Sequence, residues 1–287
     1  MKKSTLIKIG LVVLGGILSY FLMTLPKVVV EDSKEIVDNN PIEDSSINSE
    51  NNSHQADTLG EFLASKLKEK LNNSENINES IIFVDSLSDL YQKHGKFDSI
   101  AKYKELIVNK VSNLMTIRGV AKAWFDAFET SSNRTTKLEY GKKSAYWYEQ
   151  ATKYPEAESE ATVMLAVLKV QLDAVQGIPP MEGIQQLKDV IAKNPNNILA
   201  RRYLGEFYLK ISSADVEKLK KGIAQFEYIL KVDPNNINAQ VNLIEAYIAL
   251  PHVSKAKSHL SALEKIIGDD EFFKEFITSK KEQIKSL

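Results

Sequence analysis

From Asp57 onward, apolar residues recur three and four positions apart, the spacing that lines one side of a helix. Glycine and proline fall between these runs, where helices stop. No alternating run is long enough to predict a strand, so the pattern predicts an all-α chain. One phrase occurs twice along it. Asn194-Pro195-Asn196-Asn197-Ile198-Leu199-Ala200 returns as Asp233-Pro234-Asn235-Asn236-Ile237-Asn238-Ala239, each closing one amphipathic run and opening the next. A period of roughly 30–40 residues predicts stacked helix pairs, a solenoid in place of a closed globular domain.

Within one period, Leu204-Gly205, Tyr208, Gly222, Phe226 and Pro234 follow in order. The next supplies Leu243, Tyr247, Ala256 and Leu260, with Gly268 closing it. Upstream, Gly183, Leu187 and Pro195 form the second half of a unit that starts near Glu158. Trp124, Phe128, Tyr148, Ala151 and Pro155 mark a looser unit, and Leu87, Tyr91, Gly95, Phe97 and Ile100 a degenerate one. These residues resemble the tetratricopeptide repeat (TPR). That family sets Leu-Gly and an aromatic on a first helix, a small residue and an aromatic on a second, and proline at the close. The resemblance implies an all-α, right-handed α-α superhelix, a solenoid of about 4–5 units over residues 57–268. Asp269 to Lys285 is amphipathic again, so 269–287 is expected to be a capping helix. The third and fourth units carry extra residues between their helices, at Ile178-Pro179-Pro180 and around Ser212-Ser213-Ala214-Asp215.

The N-terminus has a different pattern. After a basic flank (1–8) with Lys2, Lys3 and Lys8, the stretch from Ile9 to Leu25 carries no charge. About 17 residues at 1.5 Å each reach roughly 25 Å, the short end of a bilayer span. No small-x-small cleavage site follows, because the run exits through Met23-Thr24-Leu25-Pro26. An uncleaved transmembrane helix over 9–26 is therefore expected in preference to a removed signal peptide. The basic bias before it places the N-terminus in the cytoplasm and the bulk outside, in the periplasm of a bacterial inner membrane. Residues 27–56 are rich in Glu, Asp, Ser and Asn without an aromatic, the composition of a disordered acidic linker.

Composition narrows the chemistry. The 287 residues hold 37 basic and 38 acidic side chains, a balance that calls for no nucleic acid partner. Cysteine is absent, which removes thiol catalysis, disulfides and zinc ribbons. His54, His94, His252 and His259 lack metal-ligand spacing. No phosphate loop, Gly-x-Ser-x-Gly or HExxH motif occurs, and Asp126 with Glu129 reads as a solvated helical face. The basic run Lys218, Lys220, Lys221 reads the same way. The densest aromatic cluster is Tyr140, Tyr146, Trp147, Tyr148 and Tyr154 with Trp124, Phe125 and Phe128. Most of it belongs to a core, and any ring left outside is a partner anchor.

By the resemblance, fixed positions on each first helix line a partner-binding groove. These are Leu199, Arg202, Glu206, Leu209 and Lys210 in the fourth unit, and Asn238, Val241, Glu245, Ile248 and Ala249 in the fifth. Glu206 and Glu245 stand where the family's carboxylate clamp needs Asn, which disfavours binding of a peptide's C-terminal carboxylate. The expectation is thus a non-enzymatic, membrane-anchored scaffold, adaptor or assembly factor. It uses no cofactor, metal or small-molecule substrate and docks a helix or extended segment of a protein. The alternative is a periplasmic chaperone-like partner of the secretion channel or of cytochrome c maturation.

Overall fold

The computed structural model describes residues 50–211, 215–268 and 270–287; side chains are described from residue 60, except that of Phe272. Residues 51–287 form one compact unit. The expected anchor at 9–26 and the linker as far as residue 49 lie outside the described residues. So does most of the fourth-unit insertion. Among the described residues no helix is long and apolar enough to cross a membrane.

The described residues contain twelve helices and no strand. They are α1 (Glu50–Asn73), α2 (Ile77–Lys93), α3 (Phe97–Lys110), α4 (Leu114–Thr130), α5 (Arg134–Ala151) and α6 (Pro155–Gln176). The remainder are α7 (Met181–Lys193), α8 (Ile198–Lys210), α9 (Val216–Val232), α10 (Ile237–Ala249), α11 (Val253–Ile267) and α12 (Glu271–Lys285). From α2 onward each helix packs on the next, giving the pairs α2/α3, α4/α5, α6/α7, α8/α9 and α10/α11. The first helices also touch one another: α6 meets α8, α8 meets α10, and α10 meets α12. That is the stacking of a solenoid, and α12 takes the place of a further first helix.

Helix α1 begins inside the stretch whose composition predicts a linker, so positions 50–56 are helical. Downstream, Ala64, Leu67 and Leu71 of the same helix pack on the core. Once one turn is fixed by packing, each further residue adds a hydrogen bond at little cost, and the helix grows back through polar sequence.

The repeated phrase works as a stop and a start. Asn194 and Asp233 close α7 and α9, and the proline that follows each cannot continue a helix. Asn197 and Asn236 then cap the next helices, their side chains accepting the Ala200 and Ala239 N–H groups. Each cap contributes about 1 kcal/mol. Small residues permit the close approach within a pair. A Cβ on Gly222 would lie 2.6 Å from Leu209 and 3.1 Å from the Gly205 carbonyl. One on Gly183 would lie 2.6 Å from the Ala166 carbonyl and 2.8 Å from the Val170 nitrogen.

The buried side chains fall into two clusters. The larger runs from Ala64 to Tyr208 and includes Trp124, Phe128 and Leu168. The smaller runs from Leu219 to Ile284 and includes Phe226, Leu243 and Leu263. Of the aromatic cluster, Trp124, Phe128 and Tyr148 are buried while Tyr146 stands 53% exposed. The outward ring is thus Tyr146, held edge-on against Trp147.

Candidate functional site

Helix α6 is the middle first helix, and its sequence explains the cleft beside it. Apolar residues cover a broad face of it, well over half its circumference: Ala161, Val163, Met164, Ala166, Val167, Leu168 and Val170 are all buried. Neighbouring helices cover most of this surface, but one strip between α4 and α8 stays open. A cleft of about 540 Å³ lies there. Its floor is Val167, Val170, Ala174 and Val175 of α6, with Leu187 of α7 behind. One wall is Phe128 and Glu129 at the end of α4, with Lys137 of α5. The other is Tyr203, Glu206, Phe207 and Lys210 of α8, followed by Ile211.

The two carboxylates differ in setting. Glu206 is half-buried, and its cationic neighbour Arg202 stands off at 3.8 Å while resting against the Tyr203 ring. Asn238 donates to it from α10 at 3.4 Å. Loss of water around Glu206 pushes its carboxyl pKa up, and the negative charge of Glu129 adds to this against the opposing effect of Arg202. Burial likewise pushes the Tyr203 hydroxyl up. Glu129 is exposed across the cleft and makes no ion pair among the described residues. Lys137 donates to the Glu129 backbone carbonyl at 3.3 Å, with its ammonium 5.0 Å from the Phe128 ring centre. Lys210 is exposed at the mouth.

Of the groove positions taken from sequence, the cleft brings together Glu206 and Lys210. Leu209, Val241 and Ile248 are partly buried against the smaller core, and Leu199 against the larger. Glu245 is engaged by Lys280 of α12 at 3.2 Å. Sequence alignment placed groove positions only where the repeat phrase is clearest, in the fourth and fifth units. It therefore missed Phe128, Glu129, Val170 and Ala174, and in the fourth unit it passed over Phe207, which lies beside the chosen Glu206. The broad apolar face of α6, from Ala161 to Val170, was the available signal, because a face wider than a single stripe needs more than one neighbouring element to cover it.

Other polar clusters are internally satisfied. Asp126 is held by Lys122, Lys218 by Asp215 and Lys220 by Glu217. His252 and His259 both lie against the Tyr247 ring, and His259 Nδ1 meets Gln240 Oε1 at 2.8 Å. Among the described residues, no group of three or more His, Asp or Glu could hold a metal ion.

No family model matches the chain, and no curated protein matches it. Solved structures do. A thermophilic TPR protein of Thermus thermophilus superposes with a TM-score of 0.50 at 14% identity, covering 68% of this chain and 96% of that one. A TPR protein described as having an unusual peptide-binding site covers 75% of this chain and 96% of its own at 18% identity, with a TM-score of 0.39. The TPR2AB domain of yeast Sti1, solved with pHSP90, covers 83% and 96% at 13% identity, with a TM-score of 0.36. At such identities the Thermus likeness speaks for fold alone. Five stacked helix pairs, small residues at the close approaches and proline at the unit ends agree with it, and the chain has the TPR fold.

Proposed function

We propose that this TPR chain is a non-catalytic docking platform that holds a segment of a protein partner along the face formed by its first helices. The observation that carries the reading is the open cleft beside α6, apolar at its floor and polar at its rim. An interface core of this composition, surrounded by a polar rim, is what protein recognition uses. Its volume suits one or two large side chains of a partner, and the remaining first helices extend the surface on either side. The uncharged run over 9–26 supports a further part of the proposal, that the platform is tethered to a membrane with the repeats on the extracytoplasmic side.

Site-specific photocrosslinking tests the docking reading. A photoreactive residue at Gln171, in the cleft, should trap a discrete partner in native membranes. The same residue at Glu149, exposed on the second helix α5, should not. Equal products from both positions, or none from Gln171, would end the proposal. Protease treatment of sealed spheroplasts tests the topology: digestion only after lysis would place the repeats inside.

A further inference from the structure

The cleft beside α6 contains more chemical information than its apolar floor. Glu206 projects from the α8 wall, and Glu129 stands across from it at the end of α4. The Arg202 guanidinium reaches Glu206 only at 3.8 Å, beyond a good hydrogen bond. Asn238 supplies one long bond at 3.4 Å. Neither lysine of the lining compensates: Lys137 is turned onto a backbone carbonyl and a ring, and Lys210 is out at the mouth. The interior therefore holds a half-desolvated carboxylate with an incomplete set of donors, facing a second carboxylate over an apolar floor.

A desolvated carboxylate without close donors costs the free protein stability, and a cationic donor brought by a ligand removes that cost. Charge complementarity thus selects the occupant. We infer that the cleft takes a partner segment in which a leucine or aromatic side chain fills the space over Val170 and Ala174 while an adjacent lysine or arginine reaches between Glu206 and Glu129. The lysines at the rim add a limit. A run of cations would be repelled there, so the segment carries one basic residue beside its apolar anchor and is not a basic tract.

This inference rests on the docking reading, and one experiment separates the two. The full-length protein in detergent is applied to an array of decapeptides. Each peptide contains a leucine or phenylalanine followed by arginine, and each is paired with a copy having glutamate in place of the arginine. Wild type should prefer the arginine copies by about tenfold or more, the scale of one charge-assisted hydrogen bond. E206Q should reduce that preference to below about threefold, because a neutral amide keeps the shape and loses the charge. Ala174 is exposed, so A174R should fold and block the cleft to every peptide.

A second readout excludes a merely structural role for Glu206. Removing its unmet charge should raise the melting temperature of free E206Q while its affinity falls; a fall in both would overturn the assignment. Binding abolished by A174R but showing no arginine preference would leave the docking site standing and sink the basic-residue proposal. No peptide binding in wild type, or binding untouched by A174R, would sink both.

Discussion

Glu105 offers the sharpest test of how the N-terminal pairs are joined. Its side chain on α3 accepts two indole N–H groups on one oxygen, from Trp124 of α4 at 2.8 Å and Trp147 of α5 at 3.0 Å. One carboxylate thus ties three helices across a unit boundary. Trp124 is fully buried, with the Lys143 ammonium 4.2 Å from its ring centre, so water cannot replace the lost acceptor. Trp147 is only half-buried and can turn to water. Replacing Glu105 with leucine should cost about 1–3 kcal/mol for the orphaned Trp124 donor and a further fraction for Trp147, roughly 2–4 kcal/mol together. Glutamine retains an oxygen without the charge and should lose about half as much. These two tryptophans are the only ones in the chain, so fluorescence reads the N-terminal pairs selectively. With a typical slope, the urea midpoint seen by fluorescence should fall by about 1–2 M in E105L. A change below about 0.5 kcal/mol, or equal damage by E105Q and E105L, would refute the bridge; the second result would mean that shape matters and the acceptor does not.

Four further outcomes are expected. Gly183→Ala must push α6 and α7 apart, since the new Cβ meets backbone atoms at 2.6 and 2.8 Å; it should lower stability by about 1–3 kcal/mol. Gly119→Ala meets only Lys104 at 4.0 Å and should stabilise α4 by about 0.5–1 kcal/mol; thermal melts of the two variants should move in opposite directions. Burial lowers the His259 pKa below the usual 6.5, with Lys255 acting in the same direction and Glu227 against it. The unfolded chain therefore takes up this proton first. Stability from this group is intact above 6.5 and is lost as the pH falls toward the lower folded-state value. Urea titrations at several pH values should show a shallower acid loss in His259→Gln, and an unchanged slope would remove His259 as the cause. Leu263→Ala empties a fully buried site in the smaller core and should cost about 2–5 kcal/mol. Circular dichroism should register the loss at lower urea than tryptophan fluorescence does, and coincident transitions would show one cooperative block.

The all-α solenoid was legible in the sequence because its signals are local. Proline after Asn194 and Asp233, and the caps Asn197 and Asn236, act within a few residues of themselves. The close-packing role of Gly205 and Gly222 follows from their place in the repeat. The cleft was less legible because it is made by three first helices distant in sequence. The resemblance placed Glu206 and Lys210 on the groove face, yet their setting depends on Phe128 and Val170 from other units. Nor could spacing show that Glu245 is engaged by Lys280, because that pairing arises from the docking of α12. The backward extension of α1 was hidden for a related reason: its polar first turns are helical through propagation from packed residues, which composition does not encode.

The division of the core bears on how the proposed platform could respond to a ligand. Ala200, Leu204 and Tyr208 of α8 belong to the larger cluster, whereas Leu219, Ile223 and Phe226 of α9 belong to the smaller. The seam therefore runs inside the fourth unit, across the contact where Gly222 meets Gly205 and Leu209. The cleft walls on α4, α6 and α8 lie on the larger-core side of that seam. Asn238, which bonds Glu206, comes from the other side. A carboxylate has acceptor sites for both donors, so a ligand cation at Glu206 would share the group with Asn238, and the proposed ligand site adjoins a contact between the two cores. In a solenoid whose stability is a sum of nearest-neighbour terms, a change at one such interface alters the coupling of the blocks without unfolding either.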